Sequence, residues 1–215
     1  MKLAVIGAGM IGSTAARLFA QADHEVAISN SRGPASLAPL VAELGPRAQA
    51  MTVADAAAWG EVVMLAVPWR SPAALPAPET VAGKIVIDAM NPYSADGTVL
   101  DLEPSSSSEE TLKRLPRARL VKAFNTIWFE HLAGRARPDL PVEERHAIFV
   151  AGDDEAAKRV VVNLIDDIGF GAVDTGSLAG GGRRQQPGTA LYNRVMTVRE
   201  AREAVAALED PPAAR

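Results

Sequence analysis

Short, mostly apolar runs alternate with segments of helical spacing along the first 125 residues. The runs are residues 3–6, 25–29, 47–51, 62–67, 84–88 and 119–125, each four to seven residues long. Runs of that length without strict polar alternation predict strands buried on both faces. Small and apolar residues continue at helical spacing after the first run as far as Ala20, and further helices are predicted over 36–44, 53–59 and 109–115. The alternation of strand and helix predicts a parallel sheet covered on both faces and entered by right-handed crossovers.

The chain then changes character. Residues 135–145 are charged and proline-bearing, and predict an exposed connection. Beyond it, 146–151 and 171–174 read as strands, 156–168 as a helix, and 197–208 as a last helix with a solvated Arg/Glu face. Asp153 and Asp154 precede the first of these helices, which suits capping and dipole pairing rather than acid–base work. The serine run 105–108 predicts a surface loop that becomes a capping signal with Glu109 and Glu110, and the glycine-rich 178–188 predicts a flexible loop. The expected division is 1–127 as a nucleotide-binding part and 128–215 as a part that completes the sheet and a second-substrate cleft.

The first run ends in Gly7-Ala8-Gly9-Met10-Ile11-Gly12. In a strand–turn–helix unit each glycine has a task. Gly7 permits the tight turn, Gly9 lets a pyrophosphate approach the backbone, and Gly12 lets the helix pack closely on the strand. The free N–H groups and partial positive charge of the helix N-terminus favour phosphate, so Ala8, Met10 and Ile11 belong to the same cofactor-binding turn. Glycine-rich turns are common, but here the motif follows a strand, opens a helix and precedes a second strand. The expected fold is therefore α/β, a Rossmann-type doubly wound, mostly parallel sheet with a small C-terminal extension. Arg17 and the three glycines argue against reading this segment as a secretory signal.

After the second strand come Asn30, Ser31 and Arg32, and no acid. An acid at this position would accept from the ribose 2′-OH and repel a 2′-phosphate, whereas a hydroxyl and a guanidinium suit that phosphate. The cofactor expected is NADP. Ligands of open α/β sheets bind at the carboxyl ends of the strands. Val67 and Pro68, Ala89 and Asn91, and Ala123 and Asn125 lie there and are expected to face the nicotinamide end, with Trp69 either packing or making contact.

Composition narrows the partners. A net charge of −4 supplies no basic field for nucleic acid or an acidic membrane. No apolar run approaches the roughly twenty residues of a membrane helix. There are no cysteines, and the three histidines lack ligand spacing, so disulfides, a cysteine nucleophile and a dedicated metal site are not expected.

The chain resembles the family of coenzyme F420-dependent NADP oxidoreductases. The resemblance is carried by residues 7–12, Ser29-Asn30-Ser31-Arg32, Ala66-Val67-Pro68, Val121-Lys122-Ala123-Phe124-Asn125-Thr126-Ile127, Ala151-Gly152-Asp153-Asp154-Glu155, residues 164–169 and Asp174-Thr175-Gly176-Ser177-Leu178. It implies NADP across the carboxyl edge and a deazaflavin, coenzyme F420, in a cleft beside the C-terminal part. Residues 180–188 depart from the archaeal members, which leaves the second substrate open between F420 and a flavin such as FMN. The nucleotide-binding module also looks like the reductase domain of membrane ferric reductases. The expected partners are small-molecule cofactors and a second copy of the chain, in a cytoplasmic homodimer.

A carbonyl reductase usually needs a proton donor beside the hydride path. No Tyr-x-x-x-Lys occurs, since Tyr93 and Tyr192 lead into Ser-Ala-Asp-Gly and Asn-Arg-Val-Met, and no lysine follows Lys158. Hydride exchange between two cofactors asks only for alignment and exclusion of water. No catalytic acid or base is therefore nominated. Three readings stand: a two-cofactor hydride-transfer enzyme, an NADPH-dependent reductase of a small organic substrate or of flavin and ferric iron, and a non-catalytic NADP sensor.

Overall fold

The computed structural model describes residues 1–209. It contains one eight-stranded sheet built from β1 (Lys2–Ile6), β2 (Glu25–Ser29), β3 (Ala48–Ala50), β4 (Val62–Leu65), β5 (Ile85–Asp88), β6 (Arg119–Ala123), β7 (Ala147–Ala151) and β8 (Gly171–Asp174). Their order is β3-β2-β1-β4-β5-β6-β7-β8. All neighbours are parallel except β6 and β7, which pair antiparallel through Lys122 with Ala151 and Ala123 with Val150. The fold is the Rossmann-type α/β sheet that the alternating pattern predicts, and the strands after residue 128 extend the same sheet.

Successive residues of β1 explain why the strands look uniformly apolar. Leu3 and Val5 join one buried cluster, with Phe19, Phe124 and Ile165. Ala4 and Ile6 join another on the opposite face, with Leu65, Trp69 and Leu115. A strand covered on both sides has no solvent face on which to place polar residues. The covering helices include α1 (Met10–Gln21), α2 (Ala38–Leu44), α3 (Val53–Trp59), α4 (Ser107–Arg114), α5 (Phe129–Gly134) and α6 (Glu155–Asp167), with α7 (Gly180–Arg184) and α8 (Val198–Glu209) in the C-terminal part. None is long and apolar enough to cross a membrane among the described residues.

Asp154 caps α6, accepting from the Ala157 N–H at 2.9 Å. It also pairs with Arg119 at 2.6 Å, and this hydrogen bond holds its carboxyl well below the usual carboxylate range. Its role is structural, as its position before the helix suggests.

Two expectations are corrected. The serine run is not a surface loop: Ser106, Ser107 and Ser108 are fully buried. Ser106 is the N-cap of α4 in a complete capping box with Glu109, and the next two serines turn inward onto the sheet. Residues 178–188 are not a free loop either, because they contain α7 and bury Leu178, Gly181, Gly182 and Gln185. A Cβ on Gly181 would meet the Thr175 carbonyl oxygen at 2.4 Å, so this glycine permits close backbone packing. Arg183 is engaged as well, pairing with Glu103 at 3.1 Å and donating to the Pro104 carbonyl.

Candidate functional site

The glycine turn between β1 and α1 is shaped by two collisions and one opening. Gly7 has φ +110°, and a Cβ there would lie 2.3 Å from the Ala66 carbonyl oxygen. A Cβ on Gly12 would lie 1.9 Å from the Gly7 carbonyl oxygen. At Gly9 a Cβ would meet nothing within 4 Å, so this part of the turn faces open space. Gly9 is the N-cap of α1, no side chain caps it, and the first turn holds no acid. The helix start therefore keeps its N–H groups for an anion.

That opening belongs to a cavity of about 660 Å³ lined by Gly7, Ala8, Gly9, Asn30, Ser31, Arg32, Val67 and Pro68, among others. Ser31 and Arg32 are exposed at its rim, and Arg32 has no ion-pair partner among the described residues. Asn30 is occupied locally: its Oδ1 accepts from the Arg32 N–H at 2.9 Å, and its Nδ2 donates to Ser36 Oγ at 2.9 Å. It shapes the turn that presents Ser31 and Arg32.

A smaller cavity of about 170 Å³ lies on the other side of the α1 N-terminus, lined by Met10, Ile11, Ala89, Asn91 and Asn125. Gly12 and Ala123 line neither cavity; Gly12 is packed against the turn, and Ala123 is fully buried in β6. Trp69 is packing: it is buried, its indole donates to the Ser107 carbonyl at 3.3 Å, and Arg114 lies over its ring.

The smaller cavity includes residues the sequence pattern did not single out. Phe124, Ile127, Trp128, Phe129, Tyr192 and Asn193 complete its wall. Phe124 and Asn193 adopt left-handed backbone with φ of 66° and 54°, and the Asn193 N–H donates to the Thr126 carbonyl at 2.9 Å. For a buried phenylalanine that conformation is strained. It ends β6 two residues before the predicted boundary and turns the chain at the cavity. Met10 and Trp128, 62% and 46% exposed, stand at the mouth. Tyr192 lies about one hundred residues from its partners Asn91 and Tyr93, beyond the reach of any local pattern; Tyr93, two residues after Asn91, was the available hint.

At the ends of β5 and β6 the interior is polar and closed. Lys122 is fully buried, its Nζ 3.6 Å from Asp88, and donates to the Met90 carbonyl at 3.1 Å and Ser107 Oγ at 3.3 Å. Burial pulls its pKa down and the neighbouring Asp88 carboxylate pulls it back up, burial prevailing. Ser108 Oγ donates to Asp88 at 2.7 Å. Ser106 Oγ donates to the Leu178 carbonyl at 2.8 Å, and the Ser107 N–H to Gln186 Oε1 at 2.8 Å. The buried serines thus tie residues 178–186 to the ends of β5 and β6.

Comparison with known proteins finds relatives of similar sequence and fold. The model of the family described as "NADP oxidoreductase coenzyme F420-dependent" matches residues 2–92. A solved structure of a hypothetical protein from Sinorhizobium meliloti is 35% identical, covers 92% of this chain and 95% of that one, and superposes with a TM-score of 0.80. A protein of Arthrobacter sp. FB24, provisionally named an F420-dependent NADP-reductase, is 31% identical over 92% of this chain and 99% of that one, with a TM-score of 0.72. Metalloreductase STEAP3 of Rattus norvegicus is 29% identical over 180 residues, 83% of this chain and 34% of that protein. The chain thus spans about a third of the length of that curated relative.

Proposed function

The chain belongs to the family of coenzyme F420-dependent NADP oxidoreductases, and from that membership we propose that it binds NADP(H) along the carboxyl edge of the sheet and exchanges a hydride with a deazaflavin or a related flavin held beside it. The observation that carries this reading is the 660 Å³ cavity, in which an open glycine position meets a serine and an exposed arginine, unpaired among the described residues, where an acid would select NAD. Residues 7–12 hold the pyrophosphate, and Asn30 presents Ser31 and Arg32 to the 2′-phosphate. Val67, Pro68, Ala89, Asn91, Ala123 and Asn125 form or support the nicotinamide end. Bound NADPH supplies the hydride; these residues align it and exclude water.

Residues 1–127 are the nucleotide-binding part in this reading and the part from residue 128 completes the cleft for the second ring, with 210–215 lying outside the described residues. Exposed Met10 and Trp128 at the mouth of the smaller cavity favour a planar aromatic acceptor over a small aliphatic one. A homodimer belongs to the same reading, and light scattering on the purified protein tests it.

Stereospecifically deuterated NADPH separates the acceptors. Label transferred to coenzyme F420 is the expected outcome. Transfer to FMN alone favours the second reading, a flavin-dependent reductase, which the similarity to a metalloreductase supports. Turnover of a carbonyl or imine without transfer to either ring overturns both, and tight NADPH binding with no acceptor at all leaves an NADP sensor.

A further inference from the structure

Asn125 is 4% exposed and both of its amide hydrogens are committed. Nδ2 donates to Asn91 Oδ1 at 3.0 Å and to the Gln185 carbonyl at 2.7 Å. Both partners are acceptors, so the amide cannot be turned over. Asn91 is fixed in the same way, because its Nδ2 donates to the Asn125 carbonyl at 2.9 Å and to the Tyr192 hydroxyl at 3.3 Å. This arrangement leaves Asn125 Oδ1 buried with no hydrogen-bond partner among the described residues, on a side chain that lines the smaller cavity. A buried acceptor without a partner is costly, and native structures seldom retain one without a use.

A donor stands beside it. The Tyr192 hydroxyl receives the Asn91 amide and lies 3.1 Å from the Tyr93 hydroxyl. Burial raises its pKa, so the phenol keeps its proton throughout the physiological range, and either hydroxyl of the Tyr93–Tyr192 pair can donate. When Tyr93 donates to Tyr192, the Tyr192 proton is left for a ligand. The walls around this pair are apolar: Met10, Ile11, Ala89, Phe124 and Ile127. The cavity, of about 170 Å³, has room for a small planar ring.

An acceptor and a donor, bridged by one fixed amide over an apolar slot, match a planar ring bearing a primary carboxamide. We propose that Asn125 and Tyr192 are the specificity determinants of the smaller cavity, Asn125 Oδ1 accepting from the nicotinamide N–H and the Tyr192 hydroxyl donating to its carbonyl. This rests on the NADP half of the proposed function and not on the identity of the hydride acceptor. The strained turn at Phe124 then has a purpose, since it delivers Asn125 to this position at the end of β6.

Calorimetric titration of the full chain with three ligands tests the assignment. They are NADP, its 3-acetylpyridine analogue, in which a methyl replaces the carboxamide NH₂, and 2′-phospho-ADP-ribose, which has no ring. The wild-type protein is expected to bind the acetylpyridine analogue on the order of threefold to tenfold more weakly than NADP. Tyr192→Phe should weaken NADP and the analogue alike, by a similar factor, because both keep the carbonyl, and should leave 2′-phospho-ADP-ribose unchanged. Equal wild-type affinity for NADP and the analogue overturns the role of Asn125. Tyr192→Phe losses that are absent, or that extend to 2′-phospho-ADP-ribose, overturn the role of Tyr192. A wild-type protein that binds none of the three overturns the cofactor reading itself, a result distinct from the other two.

Discussion

The two halves of the candidate site are built in opposite ways. The turn at residues 7–12 is contiguous in sequence, made of small residues, and open where Gly9 faces the larger cavity. The polar network that includes the smaller cavity's Asn91, Asn125 and Tyr192 draws on four separate stretches, adding Asp88, Ser106 to Ser108, Lys122, Gln185 and Gln186. A phosphate is recognised by backbone N–H groups, which any sequence possesses, so the chain need only clear side chains out of the way. In the smaller cavity the polar groups are side chains, and each is held by another part of the fold.

The comparison can be broken most severely in the polar layer. Lys122→Ala should leave the fully buried Asp88 side chain without its cationic partner, with an expected loss of about 3–5 kcal/mol. Lys122→Met combined with Asp88→Asn removes both charges and should recover most of that loss in a denaturant titration. If the double variant is no more stable than Lys122→Ala, the pair is not the source of the cost.

Within the glycine turn, neighbouring positions should behave differently. Gly12→Ala drives a Cβ into the Gly7 carbonyl and should cost about 3 kcal/mol, a fall in Tm of roughly 6–12 °C for a chain of this length. At Gly9 a Cβ meets nothing within 4 Å, so Gly9→Val should melt close to the wild type while losing NADPH binding. NADPH affinity unchanged in a folded Gly9→Val protein would reduce this turn to a structural feature.

The mildest perturbation sharpens the cofactor choice. Arg32→Ala removes a charge-assisted pair worth roughly 1.5–3 kcal/mol and should weaken NADP by about one to two orders of magnitude. NAD binding should barely change. Equal losses for the two cofactors would remove the assignment of the 2′-phosphate to Arg32.

What the sequence determined by itself is whatever depends on neighbours in the chain. The buried strands followed from apolar runs, α4 and α6 from their capping residues, and the glycine turn from its spacing between a strand and a helix, because each feature is settled within a few residues. Tertiary structure decided the rest. Ser106 to Ser108 are polar in composition yet fully buried, because their hydroxyls and N–H groups meet Asp88, Leu178 and Gln186 across the fold. The glycines of 180–182 look flexible on paper, but Gly181 is where two backbones approach too closely for any side chain. Tyr192 became part of the site only when the chain returned to the end of β6, where the Asn193 N–H docks on Thr126 and Asn91 reaches the phenol. Such contacts join residues whose separation along the chain carries no periodic signal, so only the folded sheet brings their chemistry together.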